Sequence, residues 1–197
     1  MSTLKQLRQQ IIHARQSQNN ARCQHASSVI AKHLFALDVF HHSQHIACYL
    51  SHKKEVDTQT IIEQIWQLGK HCYLPIITAD KNLYYASYNK KTPMKKNQYR
   101  LLEPDADGKN LHTAKQIDLL ITPLVMFDQN CTRIGWGHGH YDRSLSFLKH
   151  IPRPNKPYLL GLAYELQKQT HLKCESWDIP LDGVITETNI YYPKEKS

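Results

Sequence analysis

The sequence is poor in glycine, with 7 in 197 residues, and three of those seven crowd into one stretch as Gly135, Gly137 and Gly139. With 9 prolines and 41% hydrophobic residues, this composition excludes collagen-like and low-complexity chains and fits a folded protein. No uninterrupted apolar run approaches the roughly 18 residues that suggest a membrane span, so no membrane partner is expected. The opening MSTLKQLRQQ lacks the apolar core and small-residue cleavage site of a secretory signal, which points to a cytoplasmic protein. The five cysteines, Cys23, Cys48, Cys72, Cys131 and Cys174, are odd in number and scattered. Without a Cys-x-x-Cys pair they argue against zinc or redox chemistry and for reduced thiols. Acidic residues are scarce beside basic ones, 17 against 25, which gives a net charge of +8 and a pI near 9.2. Such a surface attracts anions, whether nucleic acid, acidic membrane or a polyanionic small molecule.

A chain of 197 residues suits one domain with one good core, spanning 1–197. Leu4, Leu7 and Ile11 recur at helical spacing, as do Ala26, Val29, Ile30, Leu34 and Leu37, which predicts two N-terminal helices. His45 to Leu50 reads as a strand. A helix follows over Ile61, Ile62, Ile65 and Trp66, with Asp57 and Thr58 as caps and Gly69 as its stop. Cys72 to Ile77 then completes a β-α-β unit, which implies parallel strands and a right-handed crossover. Leu83 to Ala86 suits a strand, and Ser87 to Asn110, with Pro93, Pro104 and Gly108, reads mostly as loop. Ile117 to Phe127 is the most apolar segment and suits a central strand ended by Pro123. Leu145 and Leu148 extend a helix from Tyr141 to before Pro152, and further strands are expected over Tyr158 to Ala163 and at Val184 and Ile185. Alternating strands and helices predict an α/β fold: an open, mainly parallel sheet with helices on both faces, a three-layer, Rossmann-like arrangement. Ligands of such sheets bind beyond the carboxyl ends of the strands, where the glycine-rich loop should fall.

In that loop, glycines let backbone amides turn inward without Cβ obstruction and bind phosphate oxygens, and the next helix N-terminus adds partial positive charge. The spacing matches neither the P-loop nor the dinucleotide fingerprint, and a tight turn alone would explain the triplet. Its neighbours carry more weight. Arg133 before the loop and Tyr141, Asp142 and Arg143 after it provide a guanidinium to neutralise phosphate and a carboxylate to coordinate Mg2+. On these residues alone Asp142 could instead cap the helix and Arg143 face water.

The segment RIGWGHGHYDR, Arg133 to Arg143, resembles the Arg-Leu-Gly-x-Gly-x-Gly-x-Tyr-Asp-Arg signature of 5-formyltetrahydrofolate cyclo-ligases, with Ile134 in place of Leu. The similarity runs along the chain in family order: Leu7-Arg8, Tyr49-Leu50, Glu55 to Thr58, Gly69-Lys70, Leu74-Pro75, Glu103-Pro104, Gly161 to Tyr164 and Trp177 to Asp182. The resemblance implies an enzyme that closes 5-formyltetrahydrofolate to 5,10-methenyltetrahydrofolate while splitting ATP to ADP and phosphate. In that chemistry the formyl oxygen is phosphorylated, N10 attacks the activated carbon, and phosphate leaves. It further implies that Leu4, Lys5, Arg8 and Arg133, with Ile134, Gly135, Trp136, Gly137, His138, Gly139, His140 and Tyr141, form the ATP site. Arg8, Leu50, Glu55 and Trp136 to His140 would contact the folate. Arg133, Tyr141 and Asp142 would be catalytic, and Asp142 and Asp182 would hold Mg2+, with ATP as co-substrate. The partners implied are reduced folate and ATP, with no nucleic acid and a monomer.

Each of these residues also has a plainer role open to it. Leu50 suits a core position, Glu55 a solvated loop, Asp182 a turn with Gly183, and Arg8 a helix surface. The chain departs from the family at Leu4, where Lys is common and Lys5 stands one position later. His138 replaces Gly or Lys, His140 replaces an aromatic residue, and Trp177 replaces a frequent His. These imidazoles could bind phosphate more tightly at low pH or simply fill space. The basic stretch Lys90, Lys91, Lys95, Lys96 and Arg100, with Tyr88 and Tyr99, has no family counterpart. It is either a solvated loop or a ligand contact. With the net charge it also motivates a competing reading, a basic nucleic-acid-binding protein, and fold analogy leaves a second, a related α/β enzyme on phosphorylated or acyl-CoA substrates.

Overall fold

The computed structural model describes residues 3–106, 108, 110–152 and 155–194. Helix α1 (Leu4–Gln16) starts on Thr3, whose hydroxyl accepts the Gln6 amide while the Gln6 side chain accepts the Thr3 amide, a reciprocal cap for two otherwise unpaired donors. Helix α2 (Asn20–Phe35) starts on the Asn19 side chain and buries Ala26, Ile30, Ala31 and Leu34; a short α3 (Asp38–His42) follows. Strand β1 (His45–Ala47), helix α4 (Gln59–Gln67) and strand β2 (His71–Ile77) form the expected β-α-β unit, with Ile46 opposite Cys72 in parallel register. Strand β3 (Leu83–Ser87) returns antiparallel to β2. A hairpin of β4 (Met94–Lys96) and β5 (Leu102–Pro104) leads on to β6 (Leu119–Pro123). The rest comprises β7 (Met126–Asp128), β8 (Arg133–Ile134), α5 (His140–Ser144), β9 (Tyr158–Leu162), β10 (Lys168–Gln169), β11 (Gly183–Ile185) and β12 (Ile190–Tyr191).

Seven strands form the main sheet in the order β12, β11, β9, β6, β1, β2, β3. Its five inner strands are parallel and its two outer ones antiparallel, which bears out the α/β expectation. Alternation along each strand sends side chains to opposite faces. Ile46, Leu119, Ile121, Leu160 and Ile185 pack against Ile30, Leu34, Phe40, Ile61 and Ile65 of α2, α3 and α4. Ala47, Leu120, Leu159 and Val184 pack on the other face with Leu145, Leu148, Ile179 and Leu181. Short turns and extended chain cover that second face in place of long helices.

Three boundaries differ from the sequence reading, and one apolar run contains a second strand. Strand β1 stops at Ala47, although the Cys48 amide still bonds the Tyr73 carbonyl at 2.9 Å. The apolar run at 117–127 ends its central strand at Pro123, as expected, but resumes as β7, which joins a separate three-stranded sheet with β8 and β10. The helix from Tyr141 gives way after one turn to a 3-10 turn (Ser146–His150), because Leu145 and Leu148, three apart, are the residues it buries. The 87–110 segment, in which Asp107 and Lys109 lie outside the described residues, contains the β4–β5 hairpin. A polar anchor holds that hairpin: Glu103, 5% exposed, accepts the Asn97 side chain at 3.0 Å and the Ile77 amide at 3.4 Å.

Gly161 in the middle of β9 is a packing requirement, since a Cβ there would stand 2.6 Å from both Leu124 Cδ2 and Leu181 Cδ1. Overpacking of this kind costs about 1–3 kcal/mol. Gly161→Ala is therefore expected to lower the unfolding free energy by that amount, read as a lower chemical denaturation midpoint with an unchanged m-value, and a wild-type midpoint would contradict the packing.

Candidate active site

The glycine loop follows β8 and meets the segment leaving β1 through Trp136 and Glu55, while Val125, just beyond β6, donates its amide to the Ile134 carbonyl at 2.8 Å. Arg133, the first residue of β8, is buried, and its Nη2 donates to Asp142 Oδ1 at 2.7 Å; its guanidinium lies 5.1 Å from the Tyr141 ring centroid. Its Nε is also buried and meets no acceptor among the described residues. One donor of a buried cation is thus left without a bond inside the loop. Burial pushes the Tyr141 phenol up against the opposing pull of Arg133, so it remains a protonated donor.

Gly137 and Gly139 adopt φ values of +98° and +66°, which side-chain-bearing residues rarely accept. A Cβ on Gly137 would also lie 3.6 Å from the Arg8 guanidinium, whose Nε donates to the Gly135 carbonyl at 3.0 Å. Arg8 therefore splints the loop from α1. Gly139 is the cap residue of α5, but five residues make a weak helix dipole. The helix contribution anticipated from sequence is correspondingly small, and Arg133 and Arg8 supply the positive charge.

Between two of these glycines, Trp136 donates its indole N–H to Glu55 Oε1 at 2.9 Å. Glu55 Oε2 accepts the His52 amide at 3.0 Å, so both oxygens are engaged as an anion would be. Arg15 Nη2 lies 3.8 Å from Glu55 Oε1, with side-chain exposures of 1% and 6%, and the Arg15 guanidinium stands 5.5 Å from the Trp136 ring centroid. Burial raises the Glu55 carboxyl above its usual range, against the opposing effects of Arg15, Trp136, His52 and Lys53. Burial likewise lowers Arg15.

On the other side of the loop, His138 and His140 stack with ring centroids 5.7 Å apart, and Tyr99 from the β4–β5 hairpin covers them at 4.8 Å and 5.7 Å. His140 Nδ1 bonds the Lys81 carbonyl at 2.8 Å, and Arg143 donates to the His138 carbonyl at 2.8 Å. Burial pushes the His140 imidazole down, helped by Arg143, His138 and Lys81 and opposed by the Lys81 carbonyl bond. Packing thus describes His140 better than phosphate charge does, and Arg143 braces the loop.

The remaining expected residues are spread around this centre. Leu4 and Lys5 are exposed in the first turn of α1, about one turn before Arg8. Leu50 is half-buried against the core. Asp182, 8% exposed, accepts the Leu159 amide on Oδ2 at 2.7 Å. The chain leading to it donates the Ile179 amide to Asp142 Oδ1 at 3.4 Å, which brings the two acidic segments side by side. Among the described residues no group of three or more His, Cys, Asp or Glu side chains could hold a metal. All five cysteines are free, and burial pushes Cys48 up to about 12, which leaves it an inert thiol. The residue that sequence reasoning missed is Arg15. Its signal was a charge in the apolar register of Leu4, Leu7 and Ile11, four residues after the last of them.

A glycine loop flanked by a buried arginine, in an open and mainly parallel sheet, is the kind of arrangement with which α/β enzymes bind anionic ligands. The model of the 5-formyltetrahydrofolate cyclo-ligase family matches residues 1–187, and the chain belongs to that family. It is 36% identical over 148 residues to the 5-formyltetrahydrofolate cyclo-ligase of Escherichia coli (strain K12), covering 74% of this chain and 79% of that protein. The Haemophilus influenzae protein of the same name is 34% identical over 163 residues, covering 81% and 84%. A solved 5,10-methenyltetrahydrofolate synthetase from Mycoplasma pneumoniae superposes with a TM-score of 0.70 at 26% identity, over 92% of this chain and 96% of that one. The Aquifex aeolicus synthetase shares the fold, with a TM-score of 0.82 at 24% identity over 98% and 94%.

Glu55 binds its proton more tightly in the folded than in the unfolded chain, so its contribution to stability falls as pH rises from the ordinary carboxylate range through its raised value. Trp136→Phe removes a hydrogen bond to the ionised form and should steepen that fall, at a cost of about 1–3 kcal/mol near neutral pH. Denaturation between about pH 4.5 and 7.5 reads this slope; equal slopes in variant and wild type would contradict the assignment.

Proposed function

We propose that this chain cyclises 5-formyltetrahydrofolate to 5,10-methenyltetrahydrofolate with conversion of ATP to ADP and phosphate. The observation that carries the reading is the Trp136–Glu55 hydrogen bond, which joins a phosphate-type loop to a buried carboxylate suited to the pterin ring. The N-formyl oxygen is a poor leaving group. In this reading it attacks the γ-phosphorus, ADP departs, N10 adds to the activated carbon, and phosphate leaves as N10 gives up its proton. Positioning and positive charge dominate such a transfer.

Arg133 and the amides of Gly135 to Gly139 hold the phosphates, with the unpaired Arg133 Nε available to an oxygen. Arg8 fixes the loop through the Gly135 carbonyl and stands between nucleotide and folate, with Lys5 and Leu4 a turn earlier. Glu55 accepts pterin donors, Leu50 packs beside the ring, and Trp136 to His140 line the space between the two ligands. Tyr141, protonated and stacked on Arg133, offers a hydroxyl to the reacting oxygens.

Mg2+ typically takes one or two protein carboxylates and completes its shell with water and phosphate oxygens. Asp142 fits that demand, because it is partly exposed and its Oδ2 accepts no hydrogen bond among the described residues. Asp182 is the second carboxylate of the assignment, its Oδ2 engaged by the Leu159 amide. Bound there, the ion supplies charge neutralisation and alignment of the ATP phosphates.

The decisive measurement is turnover, followed by the absorbance of the conjugated methenyl product. Product is expected only when 5-formyltetrahydrofolate, ATP and Mg2+ are all present, and its absence under those conditions would defeat the reading. Asp142→Asn should raise the half-saturating Mg2+ concentration on the order of tenfold, equivalent to about 1.4 kcal/mol. An unchanged Mg2+ dependence would remove Asp142 from the metal.

A further inference from the structure

Arg15 is 1% exposed, yet its guanidinium is poorly bonded. Nη1 donates to the Leu124 carbonyl at 3.3 Å, while Nε and Nη2 reach no hydrogen-bond acceptor among the described residues. Burying a cation with donors left unpaired is costly, so its place here points to a role other than stabilising the fold. The group it faces is Glu55, 3.8 Å away, too far for a hydrogen bond and close enough for strong attraction away from water. We infer that Arg15 is a positioning residue of the reaction: its guanidinium, beneath Trp136, holds Glu55 as an aligned anion ready to accept the donors of the pterin ring.

The geometry around Glu55 leaves this task to Arg15. From its own loop come the His52 amide and Lys53, whose Nζ lies 5.4 Å from the Trp136 ring centroid. From the end of β1 and from beyond β9 come Tyr49 and Tyr164, whose hydroxyls donate to the Val56 and Glu55 carbonyls and not to the carboxylate. Tyr141 adds a buried phenol nearby that stays neutral. Of the two cations, Arg15 is the buried one, and its effect on the Glu55 carboxyl exceeds that of Lys53. Removing it takes away the largest of the effects that oppose burial, so the carboxylate is lost at a higher pH on acidification.

The inference rests on the reading of Glu55 as a folate contact, and a double-mutant cycle separates the two. Wild type, Arg15→Met, Glu55→Gln and the double variant are assayed with 5-formyltetrahydrofolate and ATP for the folate KM, the ATP KM and kcat across about pH 6 to 8. Arg15→Met is expected to raise the folate KM by about tenfold, more at the acid end, with ATP KM and kcat within about threefold. Arg15→Lys should recover much of the loss. In the Glu55→Gln background Arg15→Met should add little, because the charge it serves is gone. If Glu55→Gln leaves the folate KM unchanged, Glu55 is not the folate contact and the inference falls with that assignment. If Glu55→Gln raises the folate KM while Arg15→Met does not, or adds its full effect in the double variant, the role of Arg15 is overturned and the Glu55 contact stands. Where Arg15→Met does not fold, Arg15→Gln, which drops the charge and retains an amide donor, gives the same comparison.

Discussion

The bond between the Trp136 indole and the Glu55 carboxylate is the contact around which the site is organised. It joins two pieces of chain that the sheet delivers separately, the segment leaving β1 and the segment leaving β8. Helix α1 then secures both. Arg8 and Arg15 are seven residues apart, about two turns and therefore on one side of the helix. The first grips the backbone of the loop at Gly135, and the second faces the carboxylate to which Trp136 is bonded. In the proposed reading a single helix thereby sets the distance between the phosphates and the pterin ring. The proposed transfer, which brings a formyl oxygen to a phosphorus atom, would depend on such a distance, since misplacement by about 1 Å can cost on the order of a hundredfold in rate.

Buried charge recurs through the site, and its pattern separates function from stability. Arg133 and Asp142 form a short pair, while Arg15 and Glu55 form a long one with donors left over. Apolar replacements of equal volume are often as stable as buried ion pairs, so such pairs are weak evidence of stabilisation. Both flank the segment that carries the glycine loop, one through Asp142 and the other through the Glu55 partner of Trp136. The wholly apolar contacts between Ile61, Ile65, Ile46 and Leu119 deeper in the fold are sufficient reason for the sheet and helices to hold together.

Much of this arrangement could be read from residue order. The periodicities of α1, α2 and α4, the apolar strands and the crossover from β1 to β2 rest on local patterns of burial, and these are what a sequence displays most directly. The hairpin of β4 and β5 was hidden because its strands are held by Glu103 and Asn97, polar groups that read as loop. Proline marked the end of β6 at Pro123, but the departure of β7 into a second small sheet had no local signal. At the site, the loop and its flanking Arg133, Tyr141 and Asp142 stood out as a motif, whereas the partnership of Trp136 with Glu55 spans 81 positions and has no local signature. Arg15 announced itself only as a charge in an apolar stripe, and its target becomes visible when the helix is packed.

The two ends of the main sheet have a consequence for how the molecule meets its neighbours in a crowded solution. At one end β12 is two residues long; at the other, the outer backbone of Tyr85 in β3 is already bonded to His112 in both directions at 2.8 Å. Exposed strand edges are where foreign backbones add and aggregates begin. Here one rim is too short to template a partner and the other is occupied at its centre by the chain's own return. A parallel sheet that must wait for distant segments to pair during folding is thereby shielded, once formed, from growth by accretion of strands from other molecules.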